Sequence, residues 1–218
     1  MHSGSISKVR SYRLLIAGWP EAMLWLAAVL AGFAFVIEFD MTPGEAGTAP
    51  LYRPAGIMPP LACDRPTLIL FAHPRCPCTR ASVGELNRVL TTCPDLADVR
   101  VFFRTPENPS EEWTPPPLWL DAANLPGTTV GSDPGGALAA RCDVKTSGHV
   151  LVYSAEGRLL FSGGITAARG EEGENPGRSA VVALLKGQPS VATSSQVYGC
   201  PLFDFRAACT TGKACPKP

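Results

Sequence analysis

The stretch from Thr67 to Leu90, TLILFAHPRCPCTRASVGELNRVL, constrains this chain more than any other. The apolar run Thr67 to Ala72 reads as a short strand, and a Pro-containing turn follows. Beyond it, the apolar spacing predicts an amphipathic helix whose first turn carries Cys76 and Cys78. Unpaired N–H groups and the positive end of the helix dipole favour a thiolate there, and Arg75 and Arg80 add positive charge. Pro77 suits the first helical turn, where its fixed φ fits and its missing N–H leaves no bond unmade. The outline is that of a redox or soft-metal site.

Upstream, Leu14 to Ile37 is apolar throughout except for Glu21, which reaches the length of about 20 residues that a bilayer asks for. Lys8, Arg10 and Arg13 precede it and Glu38 and Asp40 follow, so the positive-inside rule puts the N-terminus in the cytoplasm and the remainder outside. A cleaved signal peptide is the competing reading, but the run is long for one and no clear small-x-small site follows at once. Residues 1–40 are thus expected to be a cytoplasmic N-terminus and a single inner-membrane anchor. Residues 41–65, with prolines at 43, 50, 54, 59 and 60, suit a spacer.

The charges balance at 19 basic against 19 acidic residues, so no basic field exists to attract nucleic acid. Eight cysteines, several in Pro- or Gly-rich stretches, fit an oxidising compartment better than the cytosol, which agrees with a periplasmic or other extracytoplasmic domain. Their connectivity is not deducible from spacing.

After the first strand and helix, Val99 to Arg104 reads as a second strand, giving a parallel βαβ unit. A short helix over Leu118 to Ala123, a strand over Thr128 to Gly131 and a helix over Gly136 to Cys142 follow. His149 to Ser154, the turn Ala155 to Arg158, and Leu159 to Ser162 form an antiparallel hairpin. Asn175 is placed to cap a closing helix that has Pro176 at its first position and stops at Gly187. The fold class is α/β, a βαβ-ββα domain over residues 66–187 preceded by one transmembrane helix, with a cysteine-containing tail at 188–218.

That order, with a cysteine pair between first strand and first helix, resembles the thioredoxin superfamily. Thioredoxins carry a strand ending in Ala, two residues, then Cys-Gly-Pro-Cys. Here Ala72-His73-Pro74 is followed by Arg75-Cys76-Pro77-Cys78, so Arg75 replaces the usual attacking Cys and the motif is Cys-x-Cys. The family places a cis-proline just before the hairpin strand, and Gly148 stands where it would fall, with His149 next to it. The strings HPRCPCTRAS, FSGGITAARG and YGCPL are similar to the RedB-like group of membrane-anchored bacterial thioredoxin-fold proteins. The resemblance implies a thioredoxin-like fold and a protein thiol or disulfide substrate in the cell envelope.

Two chemistries compete for Cys76 and Cys78. In the first, Cys76, in the less buried place of the turn, attacks a substrate disulfide and Cys78 resolves the mixed disulfide, with Arg75, Pro77, Gly148 and His149 in support. A disulfide between them closes a ring of about eleven atoms in which the preferred torsion is hard to reach, so it should be easily reduced. No cofactor is then needed. In the second, the two sulfurs and His149 hold copper, as in the similar Sco-type copper chaperones, which however carry three residues between their cysteines. A third class, an adaptor without redox activity, is also open.

Of the other candidates, His73 precedes Pro74 and could turn its ring to the thiols or to solvent. Cys200 could fold back as an additional resolving thiol, with a structural bridge the favoured reading. Cys209 and Cys215 most simply pair with each other or remain disordered, Cys63 has no assigned partner, and Cys93 and Cys142 are expected to pack as small hydrophobes. Glu171, Glu172 and Glu174 read equally as a solvated charge run or as a proton acceptor near a thiol. The cysteine spacing does not fit a zinc site.

Overall fold

A computed structural model describes residues 19–54, 64–107, 114–190 and 192–203. Lys8, Arg10, Arg13, the start of the apolar run, Cys63, Cys209 and Cys215 lie outside the described residues. The chain divides into two units, Met1–Met41 and Thr42–Pro218.

The first unit holds helix α1, Trp19–Met41, 23 residues with Pro20 in its first turn. It is apolar on every side and none of its most apolar stretch, of mean hydropathy 2.2, is buried. At 1.5 Å per residue it extends about 35 Å, enough to cross a hydrocarbon core of about 30 Å. One helix of this chain is therefore long and apolar enough to span a membrane.

The second unit is built on strand β1, Thr67–Ala72. All six of its residues are buried, because side chains that alternate between two faces find both faces covered. Helix α2, Pro77–Thr92, returns the chain to β2, Asp98–Thr105, which pairs parallel with β1. Helix α3, Pro117–Ala123, leads to β3, Thr128–Pro134, and then to the short α4, Ala137–Arg141. The hairpin strands β4, His149–Tyr153, and β5, Leu159–Gly164, precede α5, Pro176–Leu185. The five strands lie in the order β3-β2-β1-β4-β5, with β4 antiparallel to β1. The Asn175 side chain accepts from the Arg178 amide at 2.7 Å and caps α5, as its place in the sequence predicts.

Two cores follow from the pleat. Leu68 and Leu70 of β1 join Val101, Phe103, Val150, Val152 and the apolar faces of α2 and α5. Ile69 and Phe71 point the other way, to Leu151, Tyr153, Ala139 and Val144. Cys93 belongs to the first cluster and Cys142 to the second, where both serve as small hydrophobes.

Two segments read as spacer and tail are parts of the domain. Between Gly44 and Arg53 the chain is tied down by Gly44 N–H to the Val197 carbonyl, Thr48 N–H to Asp143 and Arg53 N–H to the Gly157 carbonyl, and Ala49 is buried. Between Thr193 and Leu202 the chain pairs with the edge of β5 and with the approach to β4, burying Val197, Tyr198 and Leu202. Both are short and rich in small or Pro residues, so no periodicity announces them; what holds them is main-chain hydrogen bonding, which composition does not record.

Gly148 immediately precedes β4 and its amide donates to the Phe71 carbonyl at 2.8 Å, with φ at +89°. A proline could supply neither that donor nor that φ, so the glycine here is no stand-in for the family's proline. An added Cβ would meet Ser82 Oγ at 2.7 Å. We predict that Gly148→Ala lowers stability by about 1–2 kcal/mol through the left-handed backbone alone, and that Gly148→Pro loses about 1 kcal/mol more with the hydrogen bond. Urea unfolding midpoints check both, and a Pro variant as stable as the parent would refute the account.

Candidate functional site

The reactive end of the domain lies where β1 stops. The chain leaves Ala72, turns through His73, Pro74 and Arg75, and enters α2 with Cys76 as the N-cap residue and Pro77 in the first turn. Because β4 runs antiparallel to β1, the segment before β4 arrives at the same place, and Phe71 faces His149 in the register. Ser147 joins the two. The His73 amide donates to Ser147 Oγ at 2.7 Å, and the Thr79 and Ser147 hydroxyls lie 2.6 Å apart.

A third segment reaches this end from the C-terminal side. The Ser147 amide donates to the Cys200 carbonyl at 2.9 Å, and Thr146 forms a bridge with Pro201. Gly199 permits the approach, since a Cβ there would lie 2.0 Å from the Ser147 carbonyl oxygen. Arg169, from the loop after β5, donates to the Gly199 carbonyl at 2.7 Å. Cys76, Cys78 and Cys200 are free thiols, and Cys200 lies within hydrogen-bonding reach of Cys76.

This grouping decides the acidity of each thiol. Burial raises the Cys76 pKa, but hydrogen bonds from Cys200 and from Thr79 outweigh it and leave the thiol below its ordinary value. Cys78 is raised by burial and then by the negative charge of Cys76, against a lowering by Arg169. Cys200 is pushed up to about 12 by burial and by its place beside Cys76 and Cys78. Cys93 is raised by burial, and Cys142 is pushed up to about 11 for the same reason, which leaves both inert.

Several expectations change at this point. Cys76 is not the less buried cysteine of the turn: it is 3% exposed against 9% for Cys78. Hydrogen bonding nevertheless leaves Cys76 the more acidic of the two thiols. Arg75 and Arg80 are exposed, and the arginine that acts on Cys78 is Arg169, for which no sequence signal existed. His73 Nδ1 accepts from the Arg75 amide at 3.3 Å, so its ring folds onto its own turn.

His149 does not join the thiols. It shares the face of β4 that carries Leu151 and Tyr153, whereas Val150 and Val152 face the core under α2. Its Nε2 lies 2.8 Å from Ser162 Oγ; Nδ1 makes no regular hydrogen bond, although the Ala46 backbone lies near it. Among the described residues no group of three or more His, Cys, Asp or Glu side chains is placed to hold a metal ion. The copper set Cys76, Cys78 and His149 is thus not assembled, for the parity of the strand turns the imidazole away.

The glutamates sort in the same way. Glu171, Glu172 and Glu174 sit in a loop away from the sulfurs, with Glu172 paired to Arg88 at 3.1 Å. A buried glutamate, Glu85 of α2, accepts from the Gly173 amide at 2.7 Å and pairs with Arg178 at 3.0 Å. It ties down the loop that carries Arg169.

Cys76 also faces a cleft of about 260 Å³, lined with Pro74, Arg75, Pro77, Arg80 and, across it, Pro116 to Leu118. A second cleft of about 490 Å³, lined by Arg88, Thr91, Thr92, Arg178, Ser179 and Val182, opens at the far end of α2 and holds no cysteine.

We predict an acid-sensitive step in stability at His149, whose pKa is lowered by burial to about 4. The unfolded residue takes a proton near pH 6.5 and the folded one only near 4. Between these values the unfolded state binds more protons, so stability falls as pH falls, by about 3 kcal/mol in all. His149→Gln should flatten that part of the curve in urea unfolding between pH 7.5 and 4; an unchanged slope would exclude His149 as the source.

No family model matches the sequence, and no curated protein matches it either. Solved structures do. An uncharacterized conserved protein from Geobacillus kaustophilus is 20% identical over 75% of this chain and 97% of its own, with a TM-score of 0.57. A hypothetical protein from Sinorhizobium meliloti is 21% identical over 74% of this chain and 93% of its own, with a TM-score of 0.51. A secreted disulfide oxidoreductase from Mycobacterium tuberculosis is 16% identical over 56% of this chain and 81% of its own, at 0.40. The βαβ and ββα halves, the strand order and the cysteine-bearing helix start together make this a thioredoxin-like fold.

Proposed function

We propose that this chain is a membrane-anchored thiol–disulfide oxidoreductase of the cell envelope that reacts through Cys76. One observation carries the reading: a thiol held below its ordinary pKa at the start of α2 lines a cleft of about 260 Å³. The Cys76 thiolate attacks one sulfur of a substrate disulfide. An S–S bond forms to Cys76, the substrate's S–S bond breaks, and the departing sulfur leaves as a thiolate. A second thiol of this chain then attacks Cys76 and releases the other substrate sulfur. Both electrons come from sulfur, so the chemistry calls for no bound metal.

Arg75 and Arg80, exposed on the cleft, favour a substrate segment with acidic side chains beside its cysteine. The anchor α1, with Lys8, Arg10 and Arg13 before it and Glu38 and Asp40 at its other end, supports a single-pass inner-membrane protein whose domain faces the periplasm. The RedB-like grouping rests on the quoted sequence strings.

The pH dependence of alkylation tests the reading. Cys76 should titrate with a midpoint below the ordinary thiol value, and Cys76→Ser should slow exchange with oxidised glutathione by at least about a hundredfold. A Cys76→Ser protein that exchanges as fast as the parent, or a midpoint at or above the ordinary value, would overturn it.

A further inference from the structure

Three sulfurs meet at the end of β1, and the exchange reading above, on which this inference rests, uses one of them by name. The thiol that completes the exchange must reach the Cys76 sulfur from the side opposite the departing substrate sulfur, because displacement at sulfur is in line. Substrate occupies the cleft lined by Pro74, Arg75, Pro77, Arg80 and Pro116 to Leu118, and of the three cysteines only Cys76 lines it. Cys78 and Cys200 do not line it, and each lies within hydrogen-bonding reach of Cys76.

Cys78 is poorly built for the second step. It is one residue from Cys76, inside the first turn of a helix whose backbone is fixed, and the ring it would close cannot easily reach the S–S torsion near 90°. Cys200 has no such restriction. It sits on a separate, non-helical segment held against the site by the Ser147 amide on its own carbonyl and by Arg169 on the Gly199 carbonyl. That segment brings Cys200 within hydrogen-bonding reach of Cys76.

We infer that Cys200 is the resolving thiol, so that the redox couple of this protein is Cys76 with Cys200, a bond between the start of α2 and the C-terminal segment.

The steps balance. The Cys76 thiolate and the substrate disulfide give a mixed disulfide and one substrate thiolate, which takes up the Cys200 proton directly or through water. The Cys200 thiolate then attacks the Cys76 sulfur, the Cys76–Cys200 bond forms, and the second substrate sulfur leaves as a thiolate. Two electrons pass from the pair to the substrate, and a dithiol partner running the same steps in reverse restores the pair.

The order of events is built into the charges. While Cys76 is a thiolate, its charge holds the Cys200 proton in place. Once Cys76 is bound to substrate that charge is gone, and the Arg169 cation is left beside Cys200. Burial still opposes the Cys200 thiolate, but the opposition from Cys76 is removed once the mixed disulfide has formed.

The test uses the full chain, reduced and then exposed to oxidised glutathione, with disulfides mapped by mass spectrometry over time. The parent should pass through glutathionylated Cys76 to a Cys76–Cys200 bond, and Cys78→Ser should still map to that bond. Cys200→Ser, and Cys200→Ala as a second form, should hold glutathionylated Cys76 at least about tenfold longer than the parent. A parent that maps Cys76 to Cys78, Cys63, Cys209 or Cys215 overturns this inference and leaves the exchange reading standing. Absence of glutathione on Cys76 in every protein overturns both. The parent map needs no variant, so a folding defect in either Cys200 variant does not decide the matter.

Discussion

The site depends on one short side chain. Ser147 accepts from the His73 amide, shares a 2.6 Å contact with the Thr79 hydroxyl and donates its own amide to Cys200. It thereby joins the turn after β1 and the first turn of α2 to the C-terminal segment, which is far from both in sequence. Each bond is worth about 1 kcal/mol net, but Thr79 and Ser147 are almost fully buried, so leaving one partner out would expose an unmet polar group at greater cost. Hydrogen bonding here fixes position more than it adds stability.

A second buried polar group works on the same site from further away. Glu85 is fully buried in α2, yet it meets the Gly173 amide, Arg178 and the Asn175 side chain. A buried carboxylate so fully met is tolerable, whereas one stripped of its partners is not. Its effect is to hold the loop between β5 and α5 against α2, and Arg169 rides on that loop. The charge beside Cys78 and Cys200 is thus placed by a residue that touches neither.

Much of this was legible in the chain. The strand, turn and helix from Thr67 to Thr92 lie where the apolar spacing and Pro77 put them, and the Asn175 cap, the hairpin and the stop at Gly187 follow from local chemistry. The lowered pKa of Cys76 comes from hydrogen bonds with Thr79, one turn on, and with Cys200, far away in sequence, and not from Arg75 or Arg80. His149 was misplaced because the reading went by position along the chain, while the strand's alternation decides which side a residue faces. Arg169 and the packing of the Cys200 segment were beyond reach, since loop closure and main-chain pairing leave no mark in composition.

Cys93 and Cys142 lie on opposite sides of one sheet, each sealed in its own layer. They cannot bridge to each other while the sheet stands. The molecule therefore carries a sulfur atom in each layer that a thiol reagent can find only when that layer opens, so that the order in which the two become modified under mild denaturant would reveal which half of the structure loosens first.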